Sequence, residues 1–252
     1  MPEINIELLS IRPTIYAIFM LLSFVISFTF SGIMCKKRQV PPQVIFYSTV
    51  YLMVMVFSGG KLYTVYTAKE DVDFIGAPFS SMGGMLGMVL GVFVLCIVYK
   101  EHKKAIRDIF CLSIPLLYSI SKLGCFFGGC CNGIKYNGPF HVVYRGDFVV
   151  AGVDYSENIV RNTMLFPIQL VESIVFFFIF FCCFVIISKK KCKDTTNVVC
   201  AMFIVCAITK SGLEFLRMEY AHKLSANQFF CIVVIVVSAI VLLLNRNKKQ
   251  GK

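Results

Sequence analysis

The chain has 252 residues, 58% of them hydrophobic and only 15% charged, with a mean hydropathy of +0.77. Soluble domains carry about 25% charged residues, and this composition excludes an ordinary water-soluble globule. The formal net charge of +11 invites a nucleic-acid reading. The positive residues, however, sit in short clusters between apolar runs, as cytoplasmic loops do, so no nucleic acid is expected as a partner.

At the N-terminus, Glu3 and Glu7 precede the first apolar run, the opposite of the basic leader of a removable signal peptide. Apolar spans then follow at 13–35, 44–66, 79–99, 108–131, 165–187, 197–217 and 225–245. Each is close to the ~20 residues that a bilayer demands. The expectation is an all-α polytopic membrane protein of about seven transmembrane helices, a single integral membrane domain over residues 1–252. Lys36, Lys37 and Arg38 follow the first span, Lys100, Lys103, Lys104 and Arg107 the third, and Lys189, Lys190, Lys191 and Lys193 the fifth. Arg246, Lys248, Lys249 and Lys252 follow the seventh, whereas Glu70, Asp71 and Asp73 mark the loop after the second. Basic loops at every second connection predict an outer N-terminus and a cytoplasmic C-terminus.

Span four is interrupted by Gly124, Gly128 and Gly129. The long segment after it, Ile134 to Met164, mixes turn residues with short β-prone runs and predicts a small outer cap between helices four and five. The 12 cysteines are scattered through apolar runs such as Phe181-Cys182-Cys183-Phe184, where a cysteine is usually a small buried hydrophobe rather than half of a disulfide.

Three lysines, Lys61, Lys122 and Lys210, lie inside apolar spans. A charge in the bilayer costs about 2.5–3.5 kcal/mol on insertion scales, so such residues are usually paired or functional. Glu214 lies one helical turn after Lys210, and Arg217 almost one turn further. Lys61, Lys122 and Lys210 fall at a similar depth below the outer surface. They either snorkel to the interface or act as point charges around one anion, for which a phospholipid headgroup is at hand. Gly83, Gly84, Gly87 and Gly91 form a small-residue seam on span three, and Gly59 and Gly60 precede Lys61. Plain helix packing suffices for Gly87 and Gly91.

At this point the residues resemble a known family. Ser121-Lys122-Leu123-Gly124-Cys125-Phe126-Phe127-Gly128-Gly129-Cys130-Cys131-Asn132-Gly133 is similar to the Gly-Arg-x-Gly-Asn-Phe-x-Asn-Gly-Glu-x-x-Gly signature of prolipoprotein diacylglyceryl transferases. Further pieces match in order: Tyr16, Gly60-Lys61-Leu62, Gly83-Gly84-Met85-Leu86-Gly87, Pro167-Ile168-Gln169-Leu170-Val171-Glu172, Lys210 through Arg217, and Leu224-Ser225 with Gln228. The resemblance implies a bacterial plasma-membrane enzyme of seven spans. Such an enzyme moves the diacylglyceryl group of phosphatidylglycerol onto the cysteine thiol of a prolipoprotein and releases glycerol phosphate.

The phospholipid donor, a prolipoprotein or other thiol-bearing acceptor and the lipid bilayer are the implied partners. No cofactor and no metal is expected. The resemblance assigns catalysis to Lys122, Lys210 and Glu214. It assigns substrate binding to Tyr16, Lys61, Gly83, Gly84, Gly124, Cys125, Cys130, Asn132, Gln169 and Arg217.

The chain also departs from the pattern. The three matched arginines are lysines, which keep the charge but lose the planar fork. Met82 replaces a histidine, and Cys125 and Cys130 stand at the signature asparagine and glutamate. His141 and His222 are the histidines able to replace the lost base. The Cys125, Cys130 and Cys131 group reads as packing, as a redox or disulfide device, or as thiol chemistry near Lys122, a nucleophile or a soft-metal ligand. Its spacing is not that of a four-ligand zinc site. Two other classes therefore stay open: a non-catalytic lipid- or partner-binding member of the same fold, and a thiol or redox membrane protein.

Overall fold

The computed structural model describes residues 4–6, 12–67, 73–74, 76, 79–144, 149–150, 153–154, 163–188, 195–218 and 225–250. Seven helices dominate: α1 (Arg12–Lys37), α2 (Pro42–Thr67), α3 (Ser81–Val98), α4 (Lys103–Gly128), α5 (Ile168–Ser188), α6 (Thr195–Glu214) and α7 (Ala226–Gln250). Each is long and apolar enough to cross a membrane. The protein is an all-α polytopic membrane protein, with one helix for every expected span. Helices suit this setting because hydrocarbon offers no partner to a backbone N–H, so each segment must satisfy its own.

Apolar side chains such as Leu21, Phe46, Phe178 and Phe229 point outward, where lipid tails cover them. The exception is α4, covered along 89% of its apolar window while every other helix is covered along less than half. A helix enclosed by protein can carry polar residues that a lipid-facing one cannot, and Asp108, Ser113, Ser119, Ser121 and Lys122 are all buried along it.

The chain forms two compact units, residues 22–118 and residues 1–21 with 119–252. In the first, α2 and α3 approach so closely that side chains are excluded at the contact. A methyl group on Gly87 would overlap the carbonyl oxygen of Met55, and one on Gly83 would overlap that of Gly59. Gly91 faces Leu52 and Met55, so the Gly83-Gly87-Gly91 spacing is a small-xxx-small seam. The Ser80 hydroxyl caps α3 by accepting from Gly83 N at 3.5 Å, while Ser80 N donates to Gly60 O at 3.2 Å. At the far end of this unit, buried Asp108 accepts from Arg107 at 2.7 Å and lies 3.8 Å from Arg38.

In the second unit α6 packs against both α5 and α7. The segment between α4 and α5 builds the expected small cap, but with a contribution the sequence did not signal. Strand β1 (Ile4–Ile6) pairs in parallel with β2 (Val142–Tyr144), in the register Ile4↔Val142. A second ribbon pairs β3 (Val149–Val150) with β4 (Val153–Asp154) antiparallel. Phe126, Val142, Tyr144 and Leu165 form a small apolar core. The Tyr144 hydroxyl ties it to α4 by donating to Phe126 O at 2.9 Å.

The glycine seam is directly testable. Gly87→Ala should lower thermal stability in detergent by the about 1–3 kcal/mol typical of overpacking. Gly212→Ala on α6, where an added Cβ meets nothing within 4 Å, should not lower it.

Candidate functional site

Three helices of the second unit, with the turn after α6, bring five charged side chains to one point. Glu172 on α5 is the hub. Lys122 Nζ of α4 lies 3.0 Å from its Oε2, Lys210 Nζ of α6 2.6 Å from its Oε1, and Arg217 Nη2, beyond the end of α6, 3.1 Å from Oε2. Lys210 also bridges to Glu214 Oε2 at 2.7 Å, and Arg217 Nε lies 3.6 Å from the same oxygen. Asn227 of α7 completes Glu214 by donating to Oε1 at 2.7 Å.

The chain positions these groups by simple helical arithmetic. Lys210 and Glu214 stand at i and i+4 and share a face of α6. The helix ends at Glu214, so Arg217 is free to turn back toward the same carboxylates. An antiparallel bridge between Gly133 and Arg217, with Met218 N donating to Asn132 O at 3.2 Å, holds that turn against the segment after α4. One turn before Glu172, Gln169 donates to the carbonyl of Cys130 at 2.8 Å.

All five charged side chains are at most 9% exposed, and both carboxylates are fully covered. Desolvating an ion costs several kcal/mol even after relaxation, so the members hold one another in place only as a set. Three cations against two carboxylates leave the set one net positive charge.

The sequence offered Lys61, Lys122 and Lys210 as point charges around a shared anion, and the structure brings Lys122 and Lys210 together with Arg217 and Glu214. What lies between them is Glu172, which sequence reasoning quoted within a motif without assigning it a role. The signal was available: Glu172 is the sole acidic residue of α5, and an ionisable group at such a position calls for a partner.

Of the other candidates, Tyr16 on α1 lies against Gly124 and Gly128, whose missing side chains make room for it. It is within electrostatic range of Lys122 and of the Cys125, Cys130 and Cys131 thiols. The Asn132 side-chain oxygen is buried and has no hydrogen-bond partner among the described residues. Lys61, Gly83 and Gly84 belong to residues 22–118. There the Lys61 ammonium lies 5.7 Å from the centre of the Phe57 ring, a cation–π distance, and both glycines serve the α2–α3 contact.

His141 is buried, with Nδ1 3.0 Å from Gly138 O and Nε2 without a partner among the described residues. A carbonyl can only accept, so Nδ1 is the donor in this contact, and in the neutral ring Nε2 is then the acceptor. His222 lies outside the described residues.

The thiols of Cys125, Cys130 and Cys131 lie within 4.8 Å of one another. Hydrogen bonding with Cys125 and Cys130, helped by the charges of Lys122 and Arg217, holds the Cys131 thiol well below the ordinary thiol range. The same sharing pushes the Cys130 thiol up.

The sequence profile of prolipoprotein diacylglyceryl transferases matches residues 3–244. The chain belongs to the prolipoprotein diacylglyceryl transferase family. It is similar, at 24% identity over 221 residues, to phosphatidylglycerol–prolipoprotein diacylglyceryl transferase 2 of Clostridium perfringens (strain 13 / Type A), covering 82% of this chain and 80% of the relative. It is likewise 24% identical over 225 residues to the phosphatidylglycerol–prolipoprotein diacylglyceryl transferase of Clostridium tetani (strain Massachusetts / E88), covering 85% and 86%. Within this family Lys122, Lys210, Glu214 and Arg217 fall in two separate matched segments, and Glu172 in a third.

Removing the hub should expose how the set is held together. Glu172→Ala strands Lys122, Lys210 and Arg217 without their common partner, and should cost about 3–5 kcal/mol of stability, as for other broken buried ion pairs. Thermal melts of the purified variant in detergent check this.

Proposed function

We propose that this family member transfers the diacylglyceryl group of phosphatidylglycerol to the cysteine thiol of a prolipoprotein. The observation that carries the reading is the buried charge set, net positive, assembled from the segments that resemble the family's motifs. In the reaction the acceptor sulfur attacks the glyceryl carbon that bears the phosphate ester. The carbon–oxygen bond breaks, a carbon–sulfur bond forms, and glycerol phosphate leaves with the bonding electrons. The thiol proton goes to a base.

Lys122, Lys210 and Arg217 offer positive charge where the phosphate gains negative charge as it departs, an electrostatic role. Glu172 holds the two lysines at a fixed separation before substrate arrives, so little reorganisation is needed. Glu214 accepts from Asn227 and is ion-paired with Lys210 and Arg217, which suits it to orienting Lys210 better than to taking a proton. His141, with its open Nε2 acceptor, is the better base. Tyr16, Gly124, Cys125, Cys130, Asn132 and Gln169 shape the surroundings of Lys122.

The membrane would be the bacterial plasma membrane, with the N-terminus outside and the C-terminus in the cytoplasm, since the basic loops alternate. The cap and the end of α4 then face outward. A membrane-impermeant maleimide applied to intact cells should label Cys131, which is exposed. A cysteine placed after Lys252 should react only once the cells are permeabilised. The reverse pattern would invert the topology.

The activity test uses phosphatidylglycerol vesicles and a peptide bearing a lipobox cysteine. Lys122→Ala and Lys210→Ala should each lower kcat/KM by about 10²–10³-fold, the usual effect of removing one preorganised charge-stabilising donor. His141→Gln should lower it by about 10²–10⁴-fold, the scale of general-base catalysis. Wild-type protein that yields no thioether product, and binds no phosphatidylglycerol, would sink the reading.

A further inference from the structure

Cys125, Cys130 and Cys131 form a cluster that the transferase reading leaves without a chemical task. They cannot relay the diacylglyceryl group, because a thioether is a poor leaving group and the transfer would end on the protein.

The way the chain brings them together is specific. The last turn of α4 closes in a Schellman motif: Gly129, with φ of +70°, donates to Phe126 O at 3.3 Å, and Cys130 N donates to Cys125 O at 3.2 Å. A residue with positive φ is commonly glycine at this position because it lacks a Cβ. The reversal folds Cys130 back over Cys125, and Cys131, itself at φ of +59°, carries the third thiol into the same space. Gln169 pins the turn through the Cys130 carbonyl, and the Asn132–Met218 hydrogen bond pins it just beyond.

We propose that these three thiols form a binding site for a single divalent thiophilic metal ion, of the Zn²⁺ and Cd²⁺ class. Metal–thiolate bonds of ~2.3 Å place three sulfurs ~4 Å apart around one ion. The sulfurs already lie within 4.8 Å of one another, so closure needs movements of less than about 1 Å at each. Cysteine thiolates are the ligand type that such soft or borderline ions select. Cys125 is buried, Cys130 half-buried and Cys131 exposed, which gives a closed base and an open entry side, with a fourth position left for water or an outside ligand.

Charge complementarity points the same way. A divalent ion on three thiolates carries one net negative charge. The neighbouring set of Lys122, Lys210, Arg217, Glu172 and Glu214 carries one net positive charge. On binding, each thiol loses its proton to solvent as its sulfur bonds the metal. The ion would clamp the end of α4 one turn beyond Lys122. No metal is expected from the sequence, on the ground that the spacing is not that of a four-ligand zinc site; three ligands with an open position escape that ground.

The test titrates Cd²⁺ into the reduced, metal-free, full-length protein in detergent and follows the thiolate-to-cadmium charge-transfer absorption. The band should saturate at one equivalent, Zn²⁺ should compete for it, and metal should raise the melting temperature. Cys131→Ser, at an exposed position that should tolerate it, should weaken binding at least about tenfold. Cys130→Ser with Cys131→Ser should abolish the band, whereas Cys182→Ser with Cys183→Ser, on α5, should leave it unchanged. A band that survives the Cys130 and Cys131 substitutions, or no saturable band in the wild-type protein, would overturn the site. Neither readout depends on transferase activity, so the site and the activity can fail separately.

Discussion

The second unit depends on one constraint: a carboxylate in an apolar interior must be surrounded by positive charge. Glu172 has no exposure and takes contacts from Lys122, Lys210 and Arg217 between 2.6 and 3.1 Å. The cations come from two separate stretches of chain and the hub from a third, so satisfying this one side chain sets where α4, α5 and the end of α6 meet. In hydrocarbon there is no general hydrophobic force to bring helices together, and packing plus polar contacts must do it. The two units answer this in different ways. Residues 22–118 use a glycine seam that lets backbones touch, whereas the second unit uses buried charges paired across its helices.

The charges also explain why α4 differs from its neighbours. A helix with Asp108 and Lys122 along its length would be expensive to present to lipid. Enclosure removes that cost only if each polar group finds a partner. Ser119 does so on the neighbouring helix α5, donating to Ser173 O at 2.8 Å, and Asp108 does so through the arginines at its own end.

Hydropathy made the helices legible, because a span must be about 20 apolar residues whatever it does. The helix ends were less so. Span six was expected to run to 217, but α6 stops at Glu214, because Arg217 is needed for the turn that returns it to Glu172 and to the bridge with Gly133. Span four was expected from 108 to 131 and instead runs from Lys103 to Gly128. Its polar first turn reads as a loop by hydropathy, and its last expected residues are consumed by the Schellman turn. Strand β1 left no trace in the sequence, since three residues before an apolar span carry no period and its partner lies some 138 residues further on. Within the site, lysines announced themselves as charges in apolar runs. Glu172 did so equally, but its meaning rests on neighbours from other helices that only the fold supplies.

Lysine, where the resembled motifs carry arginine, acquires a physical sense in this geometry. An arginine presents a rigid planar fork suited to two oxygens of one group. Lys210 instead divides its ammonium between two different carboxylates, at 2.6 Å to Glu172 and 2.7 Å to Glu214. A compact ammonium on a flexible stem fits between a carboxylate on α5 and one on its own helix. The fork-like role passes to Arg217, whose Nη2 spans both oxygens of Glu172 at 3.1 and 3.3 Å while Nε reaches toward Glu214. The positive charge around the hub is thus divided among the three side chains according to what each must reach.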